Sequence, residues 1–135
     1  MKVKFLNGHE KEFETLKSAD LAGACLTGAD LRDAVLQFAN LRYADMRGAN
    51  LQGADMREAD LEDADMRGAV LRGASLSGAD LDGANIEGAD LRGAKIEIDK
   101  VTLSALVGAI LDKEQYARLR DILDEIGRAS CRERV

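Results

Sequence analysis

Apolar residues recur along this chain with a period of five from Ala19 to Ile98. Alanine occupies every fifth position of that stretch, and a leucine, methionine or isoleucine follows two residues later. Sixteen such units succeed one another without an insertion. The larger residues are Leu21, Leu26, Leu31, Leu36, Leu41, Met46, Leu51, Met56, Leu61, Met66, Leu71, Leu76, Leu81, Ile86, Leu91 and Ile96. A repeat this regular predicts a solenoid, in which each unit packs on its neighbours.

A period of five is typical of neither a helix nor a strand. One residue separates the alanine from the larger apolar residue, so both point to one side of a short extended segment. Ten of the sixteen units end in glycine, which predicts a type II turn with glycine as its third residue at φ > 0. We expect the other corners to be turns of a different type. Five of these are Asp33, Phe38, Tyr43, Glu58 and Asp63.

The repeated unit resembles the pentapeptide repeat family, whose pattern is Ala-(Asp/Asn)-Leu-X-X. The resemblance covers residues 19–98 and is carried by units such as Ala29-Asp30-Leu31, Ala39-Asn40-Leu41 and Ala59-Asp60-Leu61. It implies an all-β solenoid, a right-handed quadrilateral β-helix with four units in each turn and with leucine and alanine inside. Sixteen units then make about four coils, and residues twenty apart are expected to stack on one face.

The segment 1–18 predicts an N-terminal hairpin that caps the solenoid. Asn7-Gly8 is a strong two-residue turn signal, with flanking strands at 2–6 and 9–13. Glu14 stands where an inward alanine belongs, and burying an unpaired carboxylate is costly. We therefore expect the coil to begin only after this segment, at residue 19.

The segment 99–125 changes to a helical spacing after aspartate replaces the inward alanine at Asp99. Two short helices are predicted, at about 103–111 and 113–125. Asp112 and Gln115 have the spacing of a capping box at the start of the second. Their apolar faces either cover the last coil or pair with another subunit, which makes 103–125 the candidate contact of a homodimer.

Residues 126–135 resemble the in-frame translation of a common sequencing adapter. We therefore interpret them as a non-native tail on a metagenomic fragment whose natural C-terminus lies elsewhere, and exclude them from the fold. The tail is expected to make no apolar contact with the coils.

One of the four predicted faces carries most of the acidity of the repeat. This first face, centred on Leu21, Leu41, Leu61 and Leu81, sums to a charge of −5. The second, third and fourth faces, which begin with the units of Leu26, Leu31 and Leu36, sum to −1, 0 and −1. Its only basic residue is Arg42, and Tyr43 lies at its corner as a candidate interface anchor. We expect Phe38 to pack beneath the hairpin. The predicted partner-binding residues are Asp20, Tyr43, Asp60, Glu62, Asp63, Asp80 and Asp82.

Composition removes several classes of function. The net charge of −6 argues against direct binding of nucleic acid. No apolar run is long enough for a membrane span, no signal peptide is recognisable, and two cysteines make no disulfide framework, so a cytoplasmic protein is expected. The sequence contains no catalytic His set, no metal-binding spacing and no phosphate loop. We predict neither enzyme activity nor a cofactor.

Two functional hypotheses stay open. The first is a structural or protein-binding module that presents its acidic face to a protein partner. The second follows from the resemblance alone: some pentapeptide repeat proteins, the quinolone-resistance group, are dimeric rods that occupy the DNA site of type II topoisomerases. DNA mimicry needs a continuous negative stripe and, in a rod this short, dimerisation.

Overall fold

The computed structural model describes residues 1–5, 7–97, 106 and 108–133. Its named elements are strands β1 (Lys2–Phe5), β2 (Glu10–Glu12) and β3 (Ala24–Cys25) and helix α1 (Lys113–Glu133). From Asp20 to Lys95, and again at Ile110, the chain forms isolated parallel bridges rather than long strands. This pattern agrees with extended segments only two or three residues long.

Each bridge joins two residues that are twenty positions apart. Along the first face the paired residues are Asp20, Asn40, Asp60 and Asp80, and each of the other faces has its own series. The Asn40 amide donates to the Ala19 carbonyl at 2.9 Å, and the Leu21 amide donates to the Asn40 carbonyl at 2.7 Å. We call each twenty-residue stretch a coil. The predicted stacking of residues twenty apart is confirmed.

The interior is a column of leucine, methionine and alanine. Leu41, Met46, Leu51 and Met56 are fully buried, as are the alanines between them. A fully buried side chain of this size stabilises the fold by about 1.5–3 kcal/mol. The described coils are therefore filled by their own repeat residues.

The corners are four-residue turns that share one geometry. The Ala24 amide donates to the Leu21 carbonyl at 3.0 Å, and Gly23, the third residue of that turn, has φ of 67°. The predicted positive φ of the glycines is confirmed. The predicted difference at other corners is wrong, because five of the non-glycine corners have φ between 56° and 59°: Asp33, Phe38, Tyr43, Glu58 and Asp63.

The ladder explains why these side chains accept a left-handed conformation. The Tyr43 amide donates to the Glu62 carbonyl at 3.1 Å, and the next amide, that of Ala44, closes the turn to Leu41. Two hydrogen bonds therefore fix the corner whatever residue occupies it. The left-handed conformation costs a residue with a side chain about 1–2 kcal/mol, which this framework offsets.

The N-terminal segment differs in two respects from its prediction. Lys4 pairs with Glu10 rather than with the Lys11 that a two-residue turn would place opposite it, and of the pair Asn7-Gly8 only the glycine has positive φ. The register of the two strands is thus shifted by one residue from the predicted one. Strand β1 also pairs antiparallel with β3, through Lys4 with Cys25, which joins the hairpin to the second face.

The repeat pattern extends further than predicted at both ends. At its start, the Ser18 amide donates to the Gln37 carbonyl at 2.8 Å and Ser18 has the same corner geometry. The ladder therefore begins before residue 19, which is possible because Glu14 stays exposed instead of pointing inward.

At the other end, Ile110 pairs with Asp90 and Gly108 forms a corner with φ of 79°, so the helix predicted over 103–111 is wrong for 108–111. Residues 103–105 and 107 lie outside the described residues. The buried residues Leu106, Ala109 and Leu111 continue the period of five. This period was overlooked because the same stretch also fits a helical spacing.

Helix α1 begins where predicted and closes onto the last coil. The capping box is present: the Gln115 amide donates to Asp112 Oδ1, and the Asp112 amide donates to Gln115 Oε1, both at 2.9 Å. The same two side chains also reach the coil, since Gln115 Nε2 donates to the Leu91 carbonyl at 2.6 Å and the Gly93 amide donates to Asp112 Oδ2 at 2.8 Å. The helix runs to residue 133, eight residues past its predicted end.

Among the described residues, no helix has both the length and the hydrophobicity that crossing a membrane requires.

The shared corner geometry predicts that Gly73→Val destabilises the protein more than Glu58→Val. Both positions have positive φ, but only the glycine is free of strain before substitution, and no atom would obstruct a Cβ there. We expect Gly73→Val to lower the free energy of unfolding by about 2 kcal/mol and Glu58→Val by less than half of that, measured by urea denaturation. Equal losses would contradict the shared geometry.

Candidate interaction face

The structure brings the seven predicted binding residues to one side of the coils. The bridges stack Asp20, Asn40, Asp60 and Asp80 in one column. Two residues further along each unit, Ala22, Arg42, Glu62 and Asp82 follow, and each unit then ends at a corner. The corner residues of this face are Gly23, Tyr43, Asp63 and Gly83.

Arg42 organises the centre of the first face. Its guanidinium pairs with the Glu62 carboxylate and, through Nη1, lies 3.4 Å from Asp60 Oδ2. The carbon of the same guanidinium lies 5.6 Å from the centre of the Tyr43 ring, a cation–π distance. The hydrogen bond with Glu62, followed by the contribution of Tyr43, raises the pKa of Arg42 above its usual value.

The remaining carboxylates of the face have no cationic partner among the described residues. Asp63, Asp80 and Asp82 are exposed, and no described salt bridge reaches any of them. Asp20 accepts a hydrogen bond of 3.1 Å from Asn40 Nδ2, a neutral group. The face therefore keeps net negative charge on both sides of Arg42.

Three of these carboxylates converge. Asp60, Glu62 and Asp80 each offer one oxygen, and these oxygens lie within 4.8 Å of one another. Arg42 already supplies positive charge to two of them. A cluster of exposed acids alone is no evidence of a metal ion, and we assign none here.

Most acids of the other three faces are instead neutralised within their own units; Asp33, Glu58 and Glu87 have no described ion pair. In each Asp-X-Arg unit, arginine Nε donates to one aspartate oxygen at 2.8 Å and Nη2 to the other at 2.6–2.7 Å. These hydrogen bonds lower the pKa of Asp30, Asp45 and Asp55 to about 2. The five pairs are Asp30–Arg32, Asp45–Arg47, Asp55–Arg57, Asp65–Arg67 and Asp90–Arg92.

A second pairing rule was not foreseen from the sequence. Where a unit lacks its own aspartate, the side chain of an Arg or Gln reaches the aspartate of the next coil. Arg72, in the unit of Val70, donates to Asp90 at 2.5 Å, and Gln37, in the unit of Val35, donates to Asp55 at 2.7 Å. Arg42 follows the same rule, since Asn40 stands in its unit. The spacing of eighteen residues between the partners would have revealed this pattern once the twenty-residue register was known.

Apolar side chains are exposed beside the first face. Phe38 and Tyr43 are 57% and 54% exposed, and Val35 is 49% exposed. The prediction that Phe38 packs beneath the hairpin is wrong. Strand β1 joins the second face through β3, whereas Phe38 forms the corner between the fourth and first faces.

Comparisons with known proteins agree with the repeat. A family model described as pentapeptide repeats matches in eight copies, over residues 15–53, 29–68 and 59–97. None of the curated proteins matches this chain.

Solved structures give two close likenesses. One is a pentapeptide repeat protein from the thylakoid lumen of Arabidopsis thaliana, 38% identical with a TM-score of 0.58, over 58% of this chain and 55% of that one. The other is HetL, a pentapeptide repeat protein involved in heterocyst differentiation regulation in the cyanobacterium Nostoc, 41% identical with a TM-score of 0.57, over 58% of this chain and 36% of that one. The matched part thus spans about half of the first protein and about a third of the second.

A more remote match is QnrB1, a plasmid-mediated fluoroquinolone resistance protein. It is 21% identical, with a TM-score of 0.39, over 81% of this chain and 70% of that one. A likeness of this size carries no argument about function.

The Asp–Arg pairs predict that stability falls on acidification. The folded pKa of Asp45 and Asp55 is about 2, below the unfolded value near 3.9, so their contribution is complete above about pH 5 and declines as the pH falls toward 2. Arg57→Gln should make the fall in melting temperature between pH 5 and 2 shallower. The matched control Arg120→Gln, on α1, should leave that fall unchanged.

Proposed function

Because this chain belongs to the pentapeptide repeat family, we propose that it is a non-enzymatic interaction module that binds a cationic protein partner through the first face. The observation that carries this proposal is the unequal neutralisation of the faces. Four carboxylates of the first face lack a described cationic partner, whereas most acids of the other faces are paired with arginines of their own units. The four are Asp20, Asp63, Asp80 and Asp82; on the other three faces together, Asp33, Glu58 and Glu87 are without a described ion pair. Stacked carboxylates repel one another at the spacing of neighbouring strands, and a cationic surface would relieve that repulsion.

Two features support a binding role over a catalytic one. Leucine, methionine and alanine fill the interior of the described coils, so substrate would find no apolar cavity there. The rigid ladder also holds outward side chains in fixed columns, which favours recognition by a pre-formed surface. Tyr43 would supply an apolar anchor at the edge of the face.

Replacing four carboxylates tests this function. The variant Asp60→Asn, Glu62→Gln, Asp80→Asn and Asp82→Asn keeps the size of each side chain and removes four charges. We expect it to bind a fluorescent peptide of alternating arginine and glycine at least about tenfold more weakly than the wild type, measured by anisotropy at low salt. Wild-type binding should weaken at about 0.15 M salt, and the fold should persist or become more stable.

A matched control removes the same charge elsewhere. The variant Asp33→Asn, Glu87→Gln, Asp124→Asn and Glu125→Gln alters four exposed acids outside the first face. If both variants weaken binding equally, the effect comes from net charge and the first face is not the site.

DNA mimicry is the alternative that the sequence left open. It needs a continuous negative stripe, and Arg42 interrupts the first face at its centre. No observation on the described residues favours it over binding a cationic partner. Inhibition of topoisomerase supercoiling by the purified protein, lost in the four-carboxylate variant, would reverse this preference.

A homodimer through 103–125 is part of the proposal. Tyr116 and Leu123 lie seven residues apart on α1 and are 54% and 46% exposed, while Leu119 and Ile122 pack against the core. A stripe with this spacing suits a second helix. Sedimentation equilibrium should detect a dimer that Leu123→Glu dissociates and Asp124→Lys does not. A monomer at all concentrations would contradict the contact.

The number of coils and the caps at their two ends are also part of this proposal. The relatives imply a right-handed quadrilateral β-helix. We add that it has about four coils, with the hairpin of β1 and β2 covering one end and α1 the other. The non-native origin of 126–135 and the cytoplasmic location stay predictions; one of the similar proteins comes from a thylakoid lumen.

A further inference from the structure

The two corners beside the first face repeat one arrangement. One corner column runs Ser18, Phe38, Glu58 and Gly78; the other runs Gly23, Tyr43, Asp63 and Gly83. In each column an exposed aromatic residue is followed, one coil later, by a carboxylate. Neighbouring coils lie about 4.8 Å apart, so the aromatic residue and the acidic residue occupy adjacent positions of their column.

The Tyr43 corner already holds an arginine. The Arg42 guanidinium lies 5.6 Å from the centre of that ring and pairs with Glu62 and Asp60. This corner shows what an aromatic ring beside carboxylates accepts on this scaffold: a planar cation that stacks on the ring and is paired at its edge.

The Phe38 corner also has an exposed ring, but Arg57 and Asp55 hold the places of Glu62 and Asp60 there, and the unpaired carboxylate is that of the corner residue Glu58. Among the described residues, no cation lies over the Phe38 ring, and the Glu58 carboxylate has no hydrogen bond or salt bridge. The nearby Arg57 is held by Asp55, at 2.8 Å through Nε and 2.7 Å through Nη2, so it is unavailable.

The corner carboxylates lean along their columns. Asp33, Glu58 and Asp63 each lean toward the next coil, where their carboxylate oxygens occupy the space that a side chain on the following corner glycine would need. A Phe38 side chain with the same direction would keep its ring one coil spacing, about 4.8 Å, from the Glu58 carboxylate, a distance that one guanidinium can bridge.

Phe38 holds this place against its own backbone preference. Its φ is 59°, a conformation that bulky residues rarely adopt, and its side chain is mostly exposed rather than buried. Burial therefore does not account for the ring. Strained residues that persist on a surface tend to mark binding sites.

We propose that Phe38 and Glu58 form a binding site for an arginine side chain of the protein partner. This inference rests on the proposed function and deepens it, because it places a second contact outside the seven residues of the first face. Arginine fits better than lysine, since a planar guanidinium stacks on the ring and reaches both carboxylate oxygens, whereas an ammonium does neither as well.

Two peptides test the selectivity. The probes are fluorescent peptides of alternating arginine and glycine, and of alternating lysine and glycine, with equal length and charge. We expect the wild type to bind the arginine peptide about fivefold more tightly, as an exposed cation–π contact allows. Phe38→Ser and Glu58→Gln should each remove most of this preference while changing the dissociation constant of the lysine peptide by less than twofold.

The variants are chosen so that the fold survives. Serine already occupies the same corner column at Ser18, with φ of 55°. Asp33→Asn is the matched control, because it removes an exposed corner carboxylate that follows no exposed aromatic corner, and it should keep the arginine preference.

The outcomes separate this site from the proposed function. An unchanged arginine preference in Phe38→Ser and Glu58→Gln would overturn the arginine site, while loss of both peptides in the four-carboxylate variant would still uphold the first face. Failure of the wild type to bind either peptide would overturn both.

Discussion

The parallel ladder of backbone hydrogen bonds between residues twenty apart is the constraint on which the rest of this protein depends. The amide after each corner closes a turn, and the amide at the corner donates to the next coil; at Tyr43 and Ala44 both distances are 3.1 Å. Every unit must therefore be five residues long. An insertion of one residue would displace all later side chains from their columns.

That constraint creates an electrostatic problem, because each outward residue stacks on its equivalent in the next coil. An Asp at the bridge position would face another Asp at about 4.8 Å. The Asp-X-Arg unit resolves this locally, since Asp45 is paired with Arg47 before it meets Asp65. Where valine replaces the aspartate, as at Val70, the freed Arg72 links two coils instead. On the first face, most carboxylates have neither an arginine in their own unit nor one that reaches them from the preceding coil.

The sequence specifies the periodic part of the structure almost completely, because a single five-residue pattern determines burial, corner and column together. It fails where two patterns overlap. Residues 108–111 satisfy both a helical spacing and the period of five, and only the bridge of Ile110 with Asp90 decides between them. The position of the hairpin could not be predicted either, since pairing of β1 with β3 depends on which strand edge is free. The turn at Phe38 was predicted wrongly, because bulky residues rarely adopt the left-handed conformation that the ladder imposes at this corner.

The candidate site was also predictable only in part: the position of its residues was predicted, and the pairing of their charges was not. The register of the repeat was enough to place seven residues on one face, since the columns follow from counting in twenties. Counting could not predict which of these carboxylates are paired, because Arg42 pairs with Asp60 and Glu62, which lie eighteen and twenty residues away in the sequence. A formal sum treats every carboxylate alike, whereas the structure separates those with a guanidinium from those without one. On a scaffold whose backbone is fixed by its ladder, the outward groups are the part of the surface that is free to differ, and the proposed specificity for a partner rests on which of them are unpaired.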